Sequence, residues 1–288
     1  MNTQTLILID RKNWAAQSSL VTALARAYAT SFWGAAWKEL LAVRDPSGRV
    51  LQQFGTFDER GVIFPETLPL IERTGISADD STWPLRLWEA ADGGELTTEE
   101  GERVSPYWTL AAAMQELHRF VAPREHNGYG GEILVIEQAR VIVGFTAYAC
   151  ARSGVGRVVA DRRFPTKRLH VPIECDEPTN LTVGELLANR YSGDLVFGTF
   201  LDHAVSEAYR GSGLGSHLFD ARLNRLVELG ADVVFGRTMV TAPRQYVGNY
   251  LARGLVPIAA DGTDAFSRAK HYFAAARKEI RPRPLRRC

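Results

Sequence analysis

The sequence predicts an α/β (α+β) fold, and three observations lead there. Strand-like apolar runs at 6–9, 133–136, 140–150, 195–205 and 232–238 alternate with stretches whose apolar residues recur every three or four positions. A glycine-rich turn, Arg210-Gly211-Ser212-Gly213-Leu214-Gly215, joins one such strand to one such helix. The chain has 288 residues, 45% hydrophobic and 23% charged, which is ample material for a core and long enough for two domains. With 6 Trp, 9 Tyr and 13 Phe, apolar burial can repay the entropy of ordering, which excludes disorder as the dominant state.

Each element has its local reason. Leu6-Ile-Leu-Ile9 opens as a strand, and Trp14, Leu20, Leu24, Ala27 and Tyr28 mark one face of a helix. Residues 38–43 and 49–54 flank Asp45-Pro46-Ser47-Gly48, a turn between strands. Pro65 and Pro69 make 63–70 irregular. The polar, acidic, glycine-rich stretch 90–105 is the best linker, with an exposed loop as its rival. A helix is expected over 107–121 with Pro106 near its start. The runs 133–136 and 140–150 form a hairpin through Glu137-Gln138-Ala139. Residues 152–180 carry Arg152, Arg157, Arg162, Arg163, Lys167 and Arg168, diluted by acids, and read as a solvated insertion or a ligand-facing surface. After the glycine turn, a helix to about Leu229 aligns Leu218, Phe219, Ala221, Leu223, Leu226 and Val227, and Gly230 is placed to cap it left-handed.

Several function classes are disfavoured. Lys+Arg 34 against Asp+Glu 33 leaves +1, so no global field recruits nucleic acid or an anionic membrane. No run approaches the roughly 20 apolar residues of a transmembrane helix, and residues 1–12 lack the order of a signal peptide. Cys150, Cys175 and Cys288 are too few and scattered for a disulfide framework or zinc site, and His118, His126, His170, His217 and His271 show no ligand spacing. A soluble, cytoplasmic, metal-free protein is expected. The basic tail 277–288 reads as a solvated terminus, with contact to nucleic acid or an acidic partner as the alternative.

The glycine turn carries the chemistry. Glycines let the backbone approach a ligand, and the N–H groups of the following helix start point at an anion such as a phosphate. A Walker-type loop needs Lys-Ser/Thr where Ser216-His217 stands. A dinucleotide fingerprint fits Gly211 and Gly213 but meets Ser216 at its third glycine, and too few residues remain for its further βα units, although Arg237 could stand in for an NADP-selecting arginine. The third reading is R-x-x-G-x-G. Here the chain resembles the GNAT superfamily of N-acyltransferases, whose acyl-coenzyme A pyrophosphate loop has that pattern. Asp232-Val-Val-Phe-Gly-Arg-Thr238, Tyr250-Leu251-Ala252-Arg253-Gly254-Leu255 and the hairpin with Gly144-Phe145 are similar to that family's following strand, tyrosine helix and central hairpin. The resemblance covers about 104–257; Pro243 stands where many members carry a cofactor-touching asparagine.

The resemblance implies a GNAT-like mixed, twisted sheet flanked by helices and splayed between its fourth and fifth strands. It implies acetyl-coenzyme A, or another acyl-coenzyme A, as co-substrate, held by Ala204, Val205, Arg210, Gly211, Ser212, Gly213, Leu214, Gly215 and Ser216. The backbone N–H near Val205 would polarise the thioester carbonyl, and Tyr250 would protonate the leaving sulfur. Asp202 is the favoured base, with Glu207 and His203 behind it; alternation sends Asp202 and His203 to opposite faces. Neither Cys150 nor Cys175 is made a nucleophile. The expected division is 1–103 as an additional N-terminal region (acceptor-binding, dimer-forming or a degenerate copy of the fold), 104–276 as the acyltransferase domain, and 277–288 as the tail. The acceptor is expected to be a small-molecule or peptide amine; a charged tRNA or protein acceptor, or a non-catalytic coenzyme A-binding module, stays open.

Overall fold

In the computed structural model, residues 4–31, 41–44, 47, 50–54, 69, 72–77, 83–92, 94–98, 100–106, 108–122, 131–154, 187, 190–191, 193–239, 244–260 and 270–281 are described. The strands are β1 (Gln4–Ile9), β2 (Leu41–Arg44), β3 (Val50–Phe54), β4 (Leu96–Thr97), β5 (Arg103–Pro106), β6 (Gly131–Gln138), β7 (Val141–Gly154), β8 (Asp194–Val205), β9 (Val233–Met239), β10 (Val256–Ala260) and β11 (Lys270–Ala276). The helices are α1 (Ser18–Ser31), α2 (Trp83–Ala90), α3 (Leu110–Val121), α4 (Leu214–Glu228) and α5 (Arg244–Ala252).

The expected mixed sheet flanked by helices is present. It has seven strands in the order β1-β6-β7-β8-β9-β11-β10. Only β8 and β9 pair in parallel, because α4 carries the chain back across the sheet between them. Alternation divides the side chains between two layers. Ile133, Val135, Phe145 and Ala147 meet Leu24, Ala25 and Tyr28 of α1 and Leu117 and Phe120 of α3. Leu134, Ile136, Val143, Tyr148 and Phe200 meet Leu218, Phe219, Leu223 and Leu226 of α4 and Tyr250 of α5. The β6–β7 turn is Ala139-Arg140, both at positive φ (51° and 66°), two residues later than expected at its start. That geometry suits the twist of a tight hairpin.

The structure redraws the N-terminal half. β1 pairs antiparallel with β6 from Gln4↔Gln138 to Ile9↔Ile133, and α1 packs on α3. Residues 4–31 therefore contribute a strand to the main sheet and a helix to its α3 layer, and position 103/104 falls inside β5. A second, antiparallel sheet, β3-β2-β5-β4, lies in sequence between α1 and α3. The expected linker 90–105 supplies two of its strands: Thr98 Oγ1 accepts the Glu102 N–H at 3.2 Å and Gly101, at φ 80°, closes the turn between them. Pro106 ends β5 instead of starting a helix; α3 begins at Leu110 because Thr109 Oγ1 accepts the Ala112 N–H. Residues 277–281 are tied down, with the Arg277 N–H on the Asp232 carbonyl and the Arg281 N–H on the Arg253 carbonyl. The rest of the basic tail, most of the insertion 152–180, the 63–68 stretch, Pro243, Cys175 and Cys288 lie outside the described residues. Among the described residues no helix is long and apolar enough to cross a membrane.

A buried ion pair ties α4 to the end of α5. Arg253 Nε and Nη2 donate to Asp220 Oδ1 and Oδ2 at 2.8 and 2.7 Å, and Arg253 Nη1 reaches Asn249 Oδ1 at 2.8 Å. With side chains 2% and 8% exposed, neither charge has water as a substitute partner. Replacing Asp220 by Asn should lower unfolding free energy by about 3–5 kcal/mol, because it leaves the guanidinium buried and unpaired. Urea unfolding at constant slope measures this; Arg225→Met, which breaks the more exposed Glu132 pair, should cost less.

Candidate active site

The site begins where two strands part. β8 and β9 pair only at Phe197↔Val233, Gly198↔Val234 and Thr199↔Phe235, yet β8 runs on to Val205 and β9 to Met239. The next position on β9 is Gly236. A Cβ there would stand 2.6 Å from the Phe200 ring and 2.8 Å from the Tyr250 ring. Two aromatic rings thus pack over the bare backbone of β9 where the strands diverge, on the face that carries α4 and α5. Beyond that point, one edge of β8 has no β9 partner. The Ser206 N–H goes to the Val143 carbonyl, so by alternation Val205 turns its N–H and C=O to the open edge, where Arg210 Nε reaches the carbonyl at 3.4 Å.

β8 is also bulged. Thr146 faces His203 and Tyr148 faces Phe200, so Ala147 alone stands opposite both Leu201 and Asp202. The extra residue turns both side chains toward α1 and α3. There a cleft of about 100 Å3, open to solvent, lies between Glu116 and Phe120 of α3, residues 199–202 of β8, and Phe235 and Arg237 of β9. The Tyr28 hydroxyl donates to Asp202 Oδ2 at 2.6 Å, which orients the carboxylate in the cleft wall.

The glycine turn follows a short 3-10 turn (Glu207–Tyr209). Gly211 and Gly213 have φ of 80° and 86°, and Gly213 is the left-handed N-cap of α4 with no side chain across it. The first α4 amides have no partner within the helix. Arg210, Gly211, Ser212 and Gly213 are exposed, so the positive helix end is presented to solvent. Ser212 Oγ donates to the Tyr209 carbonyl at 2.5 Å, and Ser216 Oγ to Asn249 Oδ1 at 3.0 Å. Leu214 is buried and anchors the turn.

On the opposite face, Tyr250 is wholly buried. Its ring stacks on Phe273 at 4.4 Å and its hydroxyl donates to the carbonyl of Arg237, on the β9 wall of the cleft, at 3.1 Å. Burial pushes the phenol well above its ordinary pKa, Tyr246 adds to this, and Arg222 pulls the other way. Arg222 is itself 0% exposed. Its guanidinium carbon lies 3.7 Å from the Phe200 ring centre and 4.5 Å from that of Phe219. Nη1 donates to Thr146 Oγ1 at 3.2 Å and Nη2 to the Tyr246 hydroxyl at 3.4 Å. His203 packs on Tyr246, with ring centres 5.5 Å apart. Burial, aided by Arg222, holds its imidazole well below the usual pKa and therefore neutral at pH 7.

The structure brings Asp202, Ala204, Val205 and the whole run from Arg210 to Ser216 to the open end of β8, and sets Asp202 and His203 on opposite faces. It leaves Glu207 exposed on the outer turn, apart from the cleft lining. Sequence reasoning missed Glu116, Tyr28 and Arg222. Arg222 had a signal: it falls four residues after Leu218 and four before Leu226, inside the apolar stripe of α4. Among the described residues no group of three His, Cys, Asp or Glu side chains could hold a metal ion.

No protein-family model and no curated protein matches the chain. Among solved structures it is similar to Ard1 from Thermoplasma volcanium at 19% identity, over 59% of this chain and 80% of that one, with a TM-score of 0.34. It is similar to the ribosomal-protein-S18-alanine N-acetyltransferase from Escherichia coli at 11% identity, over 57% and 76%, with a TM-score of 0.34. It is also similar to FeeM, an N-acyl amino acid synthase from uncultured soil microbes, at 11% identity, over 76% and 89%, with a TM-score of 0.37.

His203 supplies a test of the site's electrostatics. Its folded pKa lies below the ordinary value near 6.5, so protons favour the unfolded chain. Its contribution to stability is complete above about pH 6.5 and is lost as pH falls, with a limiting slope of about 1.4 kcal/mol per pH unit. His203→Gln should flatten the wild-type decline between pH 7 and 5, measured by urea unfolding at each pH. Parallel pH profiles would mean that His203 takes up its proton as readily in the fold as in the unfolded chain.

Proposed function

We propose that the chain is an acyl-coenzyme A-dependent N-acyltransferase of the cytoplasm, moving an acetyl or related acyl group to an amine of a small molecule or peptide. The parting of β8 from β9 carries this reading. What supports it is an unpaired strand edge on β8, a carboxylate (Asp202) in the cleft wall beside that strand, and an exposed, left-handed glycine cap at the start of the helix that follows it. The residues fit the co-substrate: exposed amides at Gly211, Gly213 and the start of α4, with Arg210 beside them, suit a pyrophosphate, and the edge of β8 suits an amide-bearing arm. Bound there, acyl-coenzyme A would supply an acyl carbon already activated as a thioester.

The chain's own groups would then do three things. The Val205 N–H, fixed on the open edge, polarises the acyl carbonyl as charge builds on its oxygen. Asp202, held by Tyr28, accepts the proton that the attacking amine loses. Tyr250 gives its phenol proton to sulfur as the C–S bond breaks and the C–N bond forms, and is reprotonated from solvent as Asp202 releases the amine's proton. The products are an amide and a thiol, with no net proton taken up. A cleft wall carrying Asp202 and Glu116 favours an enzyme over a purely binding module, because a coenzyme A sensor needs no carboxylates beside the acyl end.

Acetyl-coenzyme A at about 100 times its Kd should raise Tm by roughly 5–10 °C. Gly213→Val, which forces a branched side chain to φ 86°, should abolish that rise. Tyr250→Phe and Asp202→Asn should keep the rise and lower kcat about 100-fold or more, read as thiol release with an amine panel. Absence of a thermal shift with any acyl-coenzyme A would overturn this reading.

A further inference from the structure

Among the described residues, the core beside Phe200 and Tyr250 holds a positive charge with no carboxylate partner. Among the described residues no carboxylate reaches Arg222, and its Nε has no hydrogen-bond partner. The buried acids Asp220 and Glu132 are paired elsewhere: Asp220 with Arg253, and Glu132 with Arg225 and the Tyr148 hydroxyl. His203 adds no counter-charge, being neutral, and its Nδ1 is also buried without a partner. A buried, unpaired ion is one of the costliest features a core can carry. Arg222 shares the rings of Phe200 and Phe219 with Tyr250, whose hydroxyl ends at the Arg237 carbonyl on the cleft wall.

We propose that Arg222, with the hydroxyls of Tyr246 and Tyr250, forms an anion-stabilising site on the α4/α5 side of the opening, and that the anion it takes is the thiolate released when the thioester is cleaved. This rests on the acyltransferase reading. The surroundings select the anion. The guanidinium lies between aromatic rings and is wholly buried, a setting that excludes the water a phosphate would bring and suits a polarisable, weakly hydrated sulfur. The phosphates have their own place at the exposed glycine turn. As the C–S bond breaks, its electron pair stays on sulfur, and the sulfur then takes the Tyr250 proton. Arg222 compensates first the thiolate and then the buried phenolate. Without that cation, a phenol whose pKa burial has raised would be a poor proton donor.

Coenzyme A itself is the probe, because its free thiol titrates by the ultraviolet absorbance of the thiolate. Bound to the wild-type protein, the thiol should ionise at least one pH unit lower than in solution. Arg222→Met, similar in volume, should lose that shift while the thermal response to coenzyme A persists. Arg222→Gln, which keeps a donor for Thr146 or Tyr246 but no charge, should lose it too and decides the matter if the methionine variant does not fold. A role for Arg222 as a prop for Phe200 alone would change stability or affinity and leave the thiol titration untouched. Bound coenzyme A titrating as in free solution, or equally shifted in wild type and variants, overturns this site. No thermal response to coenzyme A or acetyl-coenzyme A in the wild type overturns the acyltransferase reading and this site with it.

Discussion

The fold turns on the contact between two aromatic rings and Gly236. Parallel strands that begin pairing normally continue, since every added residue satisfies backbone groups that would otherwise need water or another partner. β8 and β9 stop after three pairs, and at the next position Phe200 and Tyr250 lie over Gly236, whose missing Cβ lets them come that near. The rings are held from behind by Phe219, Phe273 and the Arg222 guanidinium, so this contact is part of the packed core. An exposed strand edge is ordinarily a liability. Here part of that edge, residues 199–202, lines a cleft walled by α3 and β9, where a ligand has access to it.

The bulge at Leu201-Asp202 makes that edge two-sided. Without the extra residue, Asp202 would share a face with Phe200, in the aromatic layer with Arg222. With it, Asp202 emerges beside Tyr28 and Glu116, and His203 takes the place on the aromatic side. A proton acceptor and a buried cation thus stand on opposite sides of one strand. Placed together they would form an ion pair and neutralise each other's chemistry. Separated by a backbone, one can take a proton from an attacking group while the other steadies charge on a departing one.

What could be read from the sequence was what short-range geometry dictates. The glycine turn was legible because Gly211 and Gly213 need left-handed φ, and the helix after them was legible from its stripe. The α/β class and the central hairpin followed from period and length. The role of residues 4–31 was not legible, because β1 finds its partner about 130 residues away and an edge strand has no local mark of the sheet it joins. The β4–β5 hairpin was masked by polar, glycine-rich composition, which turns and short strands share. The Tyr28–Asp202 bond spans 174 positions, and within its own segment Tyr28 reads as one more apolar residue on a helix face. The parting of β8 and β9 was expected only through the family resemblance. The contact of two rings with one glycine at that point is a packing relation among three segments.

Arg222 shows how such a site is sustained. α4 carries Asp220 and Arg222 two positions apart, a spacing that sends them to different faces of the helix and keeps the acid from pairing with the base. Instead Arg253 comes in from the end of α5 and claims both oxygens of Asp220. The helix is thereby locked to α5, and Arg222 is left with neutral acceptors and aromatic faces. Cation–π contacts and two hydrogen bonds reduce the cost of burying that charge without cancelling it. Exchanging Asp220 for a neutral residue would release Arg253, not supply Arg222, so the two buried arginines are not interchangeable parts of one network. An anion that enters beside Tyr250 would gain from the uncompensated charge, and by linkage the fold would gain stability from the anion. On this argument the same interaction that would favour thiolate departure also strengthens the closed packing of α4, α5 and β8 around it.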